Sequence, residues 1–232
     1  MKSMQIEIPQ TAKRIKLDIG LSWAAPNSCI WLNNESDTFV IGVEPNRFAN
    51  DRIKSNGLYC QQTAQSVSYP NPHFHLIEAG IDDVKEETTK PFYHMRNDVG
   101  VSSLYKPNRN LDDVVQELSD IKVIPLSSVL ENIDWNRFEY IDILKIDTQG
   151  NDLNVIKSAG KFLDKIVYIY CEVNCEKYYE GAPAVKEYDD YLESVGFHFV
   201  KNGSVIDGQV VDKLYLNSKL EDKAIYVNPS VL

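Results

Sequence analysis

The chain has 232 residues, 43% hydrophobic and 25% charged, proportions that let a globular protein bury a full core and that fit one elaborated domain. Its 34 acidic side chains outnumber the 24 basic ones, leaving a formal charge of −10 that argues against nonspecific binding to nucleic acid or anionic membranes. No apolar run reaches the roughly 18 residues of a membrane span. Met1 to Pro9 also lacks the apolar core of a signal peptide, so a cytoplasmic protein is expected.

Strand and helix signals alternate along most of the chain, which predicts an α/β, Rossmann-like sheet, mostly parallel and covered by helices on both faces. The first strand, 15–19, ends in Asp18-Ile19-Gly20. Glycine there lets a ligand approach the backbone, and the helix that follows over 26–33 offers free N–H groups to an anion. Taken alone, this is an ordinary strand-to-helix turn with Asp18 bonding nearby N–H groups. The second strand, 38–44, ends in Glu44 and is broken by Pro45-Asn46 ahead of a helix over 46–55. An acid in that position can accept both hydrogen bonds of a ribose diol. The two acids together favour a nucleotide-type cofactor site. A third strand, 73–78, carries His73 and His75, which have no third partner in the sequence and are read as structural.

Residues 80–120 break the alternation and are read as a lid or substrate loop, with 92–105 closing over an acceptor. His94 lies within it and is a candidate base. Beyond it follow a helix over 127–133, a strand over 141–147, a helix over 151–159, a strand over 166–173 and a helix over 183–195. The last of these is supported by Pro183 in its first turn, apolar residues at helical spacing and Gly196 as a stop. Strands at 196–201, 212–217 and 223–228 close the chain, at least one of the final pair antiparallel.

The run Asp142-Ile143-Leu144-Lys145-Ile146-Asp147-Thr148-Gln149-Gly150 carries the most chemistry. Strand ends in open α/β sheets face the ligand site, so Asp147, Glu172 and Asn174 are expected to meet on adjacent strands and supply oxygen ligands to Mg²⁺ or Mn²⁺. Alternatively Asp147 or Lys145 acts directly as a general base. The plainer role for Asp147 and Asp152 is to cap the helix that follows. Cys29, Cys60, Cys171 and Cys175 form no CxxC pair and are read as small apolar filler.

Several of these pieces occur together in one known family. Leu17-Asp18-Ile19-Gly20, Val43-Glu44-Pro45-Asn46, Ser102-Ser103-Leu104, the segment Val123 to Leu130, Ile143 to Gly150 and Tyr170-Cys171-Glu172-Val173-Asn174 follow in order, and the chain resembles the FkbM-type S-adenosylmethionine-dependent methyltransferases. The resemblance implies the class I methyltransferase sheet of seven strands in a single domain over 1–232. It places Asp18 and Gly20 near the methionine end of the cofactor, with Ser22, Asn27 and Ser28 as further polar groups. It puts Glu44 on the ribose, and the stretch from Glu78 and Ala79 to Ile81 beside the adenine. It implies O-methylation of a hydroxyl on a sugar or glycoconjugate, with a small-molecule or glycan acceptor. A nicotinamide oxidoreductase, which the missing G-x-G-x-x-G counts against, and a catalytically silent cofactor-binding scaffold are the alternatives.

Overall fold

A computed structural model describes residues 5–95, 99–108, 117–173, 175–203, 205–206 and 209–224. In chain order the elements begin with β1 (Arg14–Ile19), α1 (Pro26–Asn34), β2 (Thr38–Val43), α2 (Arg47–Asn56), β3 (Leu58–Cys60), β4 (Gln65–Val67) and β5 (Phe74–Ile77). They continue with β6 (Gly80–Ile81), β7 (Thr88–His94), β8 (Glu117–Ile124), α3 (Leu126–Leu130), β9 (Ile141–Ile146), α4 (Asp152–Ser158) and β10 (Ile166–Glu172). The last are α5 (Val185–Ser194), β11 (Phe197–Asn202), β12 (Val205–Ile206), β13 (Gln209–Val210), β14 (Asp212–Asn217) and α6 (Glu221–Ala224).

Seven strands form the main sheet in the order β11-β14-β10-β9-β1-β2-β5. The pairs β10·β9, β9·β1, β1·β2 and β2·β5 are parallel, while β14 runs antiparallel to both its neighbours. Every residue of β2 and β9 is buried, as expected of central parallel strands covered on both faces. Side-chain alternation along β1 sorts the two cores. Ile15, Leu17 and Ile19 face the layer of α3, α4 and α5, where Leu126, Val155, Tyr188 and Leu192 pack. The opposite face packs Val40, Ile143 and Tyr168 against Cys29 and Trp31 of α1 and Ile53 of α2.

Two expectations change. Residues 80–120 are not one loop: β7 pairs antiparallel with β8, which also pairs parallel with β6, making a second three-stranded sheet. The first six residues of β8 alternate between intermediate and exposed, so its sequence carries no apolar stripe to betray a strand. A strand over 223–228 also fails where it can be seen, because Glu221–Ala224 is helical and the remainder lies outside the described residues. The antiparallel partners of β14 are β10 and β11 instead.

At the amino-terminal end of the sheet sits a buried charge cluster. Lys16, fully buried in β1, places its Nζ 2.5 Å from Glu35 Oε1 and 5.1 Å from the centre of the Trp31 ring. Burial pushes the Lys16 pKa down against the pull of Glu35. Removing one partner of such a pair strands the other charge in a low-dielectric interior. Glu35→Ala is therefore expected to cost about 3–5 kcal/mol, read from urea unfolding, and a loss below about 1 kcal/mol would show the pair to be energetically idle.

Candidate functional site

The ladder of the sheet runs past the ends of β1, β2 and β9 and sets their rim. Gly20 N–H donates to Val43 O, Asp147 N–H to Ile19 O and Glu44 N–H to Ile77 O, each at 2.9–3.0 Å. Gly20 has φ +83°, and a Cβ there would lie 1.9 Å from the Asp147 carbonyl oxygen, so only glycine allows the two turns to cross. Above this crossing opens a cleft of about 590 Å³, its mouth included. Gly20, Ser22, Glu44, Asp147 and Thr148 form its polar side, while Ala79, Ile81, Phe92 and Leu104 form its apolar walls.

Glu44 is the organiser of that rim. Its Oε2 accepts from Leu21 N–H at 3.0 Å and Ser22 N–H at 3.1 Å, and its Oε1 from Asn46 N–H at 2.7 Å. A carboxylate has about four acceptor positions, so one remains for a ligand hydroxyl. Burial raises its pKa to about 7, against the lowering effect of those three N–H groups and the Lys145 charge.

Asp18 lies beneath the cleft and not on its wall. It is buried, its Oδ2 accepts from both N–H and Oγ–H of Ser28, at 3.1 and 2.6 Å, and its Oδ1 sits 3.3 Å from Lys145 Nζ. The reason is register: Asp18 and Lys145 are Cα partners across β1 and β9, on the face that α1 covers. Ser28 is thereby committed to Asp18, and neither it nor Asn27 lines the cleft. Glu78 also departs from expectation. Half exposed, it turns away to pair with Lys54 at 2.6 Å, leaving Ala79 as the lining residue of that turn.

Lys145 does not suit a base. Burial would lower its pKa, but the charges of Asp18 and Asp147 together outweigh burial and hold the ammonium above its ordinary value. Its Nζ donates to Gly20 O at 2.8 Å and lies 3.7 Å from Asp147 Oδ2, which makes it a brace for the turn. His94 is likewise remote. It is buried, bonds Ser119 Oγ through Nε2 at 2.8 Å, and burial keeps its pKa below the ordinary value. It does not border the cleft.

Asp147 does border it, with its side chain 40% exposed. What meets Asp147 is an amide. Gln149 Nε2 donates to Asp147 Oδ1 at 2.9 Å and to Glu172 Oε2 at 2.6 Å, while Gln149 Oε1 accepts from Tyr179 O–H at 2.9 Å. Both protons of one NH₂ group point at the two carboxylates, where the expected cation would sit. Asn174 lies outside the described residues, and among those described no cluster of three or more His, Cys, Asp or Glu could hold a metal. The residues present do not fit the Mg²⁺ or Mn²⁺ site expected from the spacing of acids, because sequence spacing does not reveal that Gln149 adopts a left-handed φ of +56° and folds back between them.

Asp152 is structural. Its Oδ1 accepts from Thr148 N–H and Oγ–H and its Oδ2 from Glu172 N–H, pinning the turn after β9 to the end of β10. The segment 99–108 roofs the cleft with Gly100, Ser102 and Leu104. It is tied down by Ser103 Oγ–H, which donates to Gln149 O, and by Tyr179, whose one hydroxyl proton is shared between Val101 O at 2.8 Å and Gln149 Oε1 at 2.9 Å.

A doubly wound sheet with an antiparallel strand inserted between β10 and β11, and a cleft at the carboxyl ends of β1 and β2, is the class I methyltransferase fold. Residues 25–199 match the methyltransferase FkbM domain, and the chain belongs to that family. No curated protein matches it. Among solved structures, magnesium protoporphyrin IX methyltransferase (ChlM) from Synechocystis PCC 6803 with bound SAM is similar at 9% identity and a TM-score of 0.44, over 90% of this chain and 72% of that one. A human methyltransferase 10 domain containing protein is similar at 9% identity and a TM-score of 0.39, over 93% of this chain and 76% of the other.

The buried rim acids set a pH dependence. Asp152, like Glu44, titrates at about 7 in the fold, raised first by burial and then by the Asp147 charge. Their ordinary values lie near 4, so between pH 7 and 8 the folded state still holds protons that the unfolded chain has released. Stability then falls as pH rises, because folding binds protons over that window. His75 and His94, whose pKa values burial lowers, work the other way but mainly below pH 7. The urea midpoint is expected to drop between pH 7 and pH 8, and a rise would contradict the assignment.

Proposed function

We propose that the chain is an S-adenosylmethionine-dependent O-methyltransferase acting on a hydroxyl of a sugar or glycoconjugate, whether presented by a small molecule or a glycan. The observation that carries the reading is the cleft at the carboxyl ends of β1, β2 and β9, within a methyltransferase FkbM domain. The residues present fit the cofactor. The spare acceptor position of Glu44 suits a ribose hydroxyl, and the apolar walls at Ala79, Ile81 and Phe92 suit a purine ring. Gly20 and Ser22 supply close backbone approach at the methionine end.

When bound, S-adenosylmethionine supplies an electrophilic methyl group, transferred by in-line displacement. The protein's part is then placement of the oxygen and removal of its proton. Asp147 takes the base role in this proposal, since it is the carboxylate of the cleft with substantial exposure and its orientation is fixed by Gln149 and Lys145. Gly100, Ser102 and Leu104 on the roof bring the 92–105 segment to the cleft, and closure of that segment over the acceptor belongs to the same reading. Among the described residues the cleft lining contains no Lys, Arg or His, which favours a neutral hydroxyl over an anionic acceptor.

Glu44→Gln is expected to weaken S-adenosylmethionine binding by roughly 1.5–3 kcal/mol, the range for hydrogen bonds to a charged group. Calorimetry on a folded variant with unchanged affinity would remove Glu44 from the site. Asp147→Asn is expected to abolish most methyl transfer to a hydroxylated glycan acceptor, measured with labelled cofactor, while cofactor affinity stays near that of the parent. EDTA should leave turnover unchanged, since the Gln149 amide spans the two acids. Near-full activity of Asp147→Asn would return that acid to a structural role.

A further inference from the structure

Ser102 carries a hydroxyl proton that finds no acceptor among the described residues. Its Oγ receives two hydrogen bonds, from Asn46 Nδ2 at 2.9 Å and from the Met95 backbone N–H at 3.0 Å. Both groups can only donate. The Asn46 amide is locked in that orientation because its Oδ1 accepts from Phe48 N–H at 3.0 Å as the cap of α2. A hydroxyl has two lone pairs and one proton, so both acceptor positions are filled and the proton must go elsewhere. No described residue accepts it. Ser102 as a residue is 8% exposed and borders the cleft, so water reaches it poorly and the open direction is the cleft itself. Leaving a buried O–H without a partner is costly.

We propose that Ser102 donates this proton to an unprotonated ring nitrogen of the cofactor's purine, making it a base-reading residue of the site. The assignment rests on the cleft taking S-adenosylmethionine. Within that reading, the ribose diol is itself a donor and is matched by Glu44, an acceptor. The methionine carboxylate lies at the Gly20 and Ser22 end in the same reading, so the acceptor left for Ser102 is the ring between Ala79, Ile81, Phe92 and Leu104. Asn46 joins the two recognitions: its backbone N–H bonds Glu44 Oε1 at 2.7 Å while its side chain orients the Ser102 hydroxyl. A ring carrying N–H at the same position would meet the hydroxyl donor to donor and be rejected.

Calorimetry with S-adenosylhomocysteine and with analogues in which each unprotonated ring nitrogen is replaced in turn by C–H decides the matter. One analogue is expected to bind the parent protein about ten-fold more weakly, the loss of one hydrogen bond. Ser102→Ala should bind S-adenosylhomocysteine more weakly by a similar factor and no longer distinguish that analogue. Ser102→Cys keeps the side-chain shape with a weaker donor; it should show reduced discrimination and serves if the alanine variant does not fold. Equal binding of all analogues by the parent protein, or undiminished discrimination in a folded Ser102 variant, overturns the assignment to Ser102 alone. No binding of S-adenosylhomocysteine by the parent protein overturns the cofactor reading and this assignment with it.

Discussion

The site depends on one buried ammonium. Lys145 stands on the central strand of the sheet, where a lone charge would be prohibitively costly, and it is tolerated because Asp18 lies in register on β1 and Asp147 follows two residues later. Its hydrogen bond to Gly20 O fixes the turn that Gly20 makes against Asp147. One side chain thus neutralises a hidden acid, braces the backbone crossing beneath the cleft and stands behind the acid that the cleft exposes. The chemistry at the rim inherits its geometry from this cross-strand pair.

A second constraint works through backbone N–H groups. Glu44 gathers the donors of Leu21, Ser22 and Asn46 from two turns, so the carboxylate that faces the cleft also holds the two turns together. Gln149 does the same for β9 and β10, with one amide satisfying Asp147, Glu172 and Tyr179. Polar groups in this rim are nearly all shared between structure and recognition. Most of their bonding capacity is spent within the protein, which rigidifies a site whose walls otherwise come from separate strands, and the Glu44 acceptor position and Ser102 proton left over face the cleft.

The rim acids are legible in sequence because the strands before them, β2 and β9, are mostly apolar and stop at Glu44 and Asp147. Gly20 and Asp147, read from strand ends, line the cleft, as do Ser22 and Ala79, which the family resemblance places there. What sequence misjudges is direction. Asp18 and Lys145 sit at strand ends too, but side-chain alternation turns both onto the face covered by α1, under the cleft instead of into it. Glu78 swings to Lys54 because a nearby cation outbids solvent at an exposed turn. The left-handed backbone at Gln149 has no sequence signal, since glutamine is not a residue that favours it. The Ser102-Ser103-Leu104 motif is visible in the chain, whereas the hydrogen bonds that free the Ser102 proton depend on Asn46, 56 residues earlier.

The place of β14 bears on how the molecule is made. It lies between β10 and β11 and bonds to both, yet it follows both in the chain. During synthesis β10 emerges with its outer edge unpaired, and β11 has no neighbour to join. Both edges stay open until residues 212–217 arrive and the strand slots between them. Lys213 and Tyr215 then bond Asp189 of α5, fastening the inserted strand to a helix made earlier. The cleft side of the sheet can assemble from residues up to β10, while the far side must wait, so the nascent chain carries a ready template for pairing with other strands until its late segment arrives.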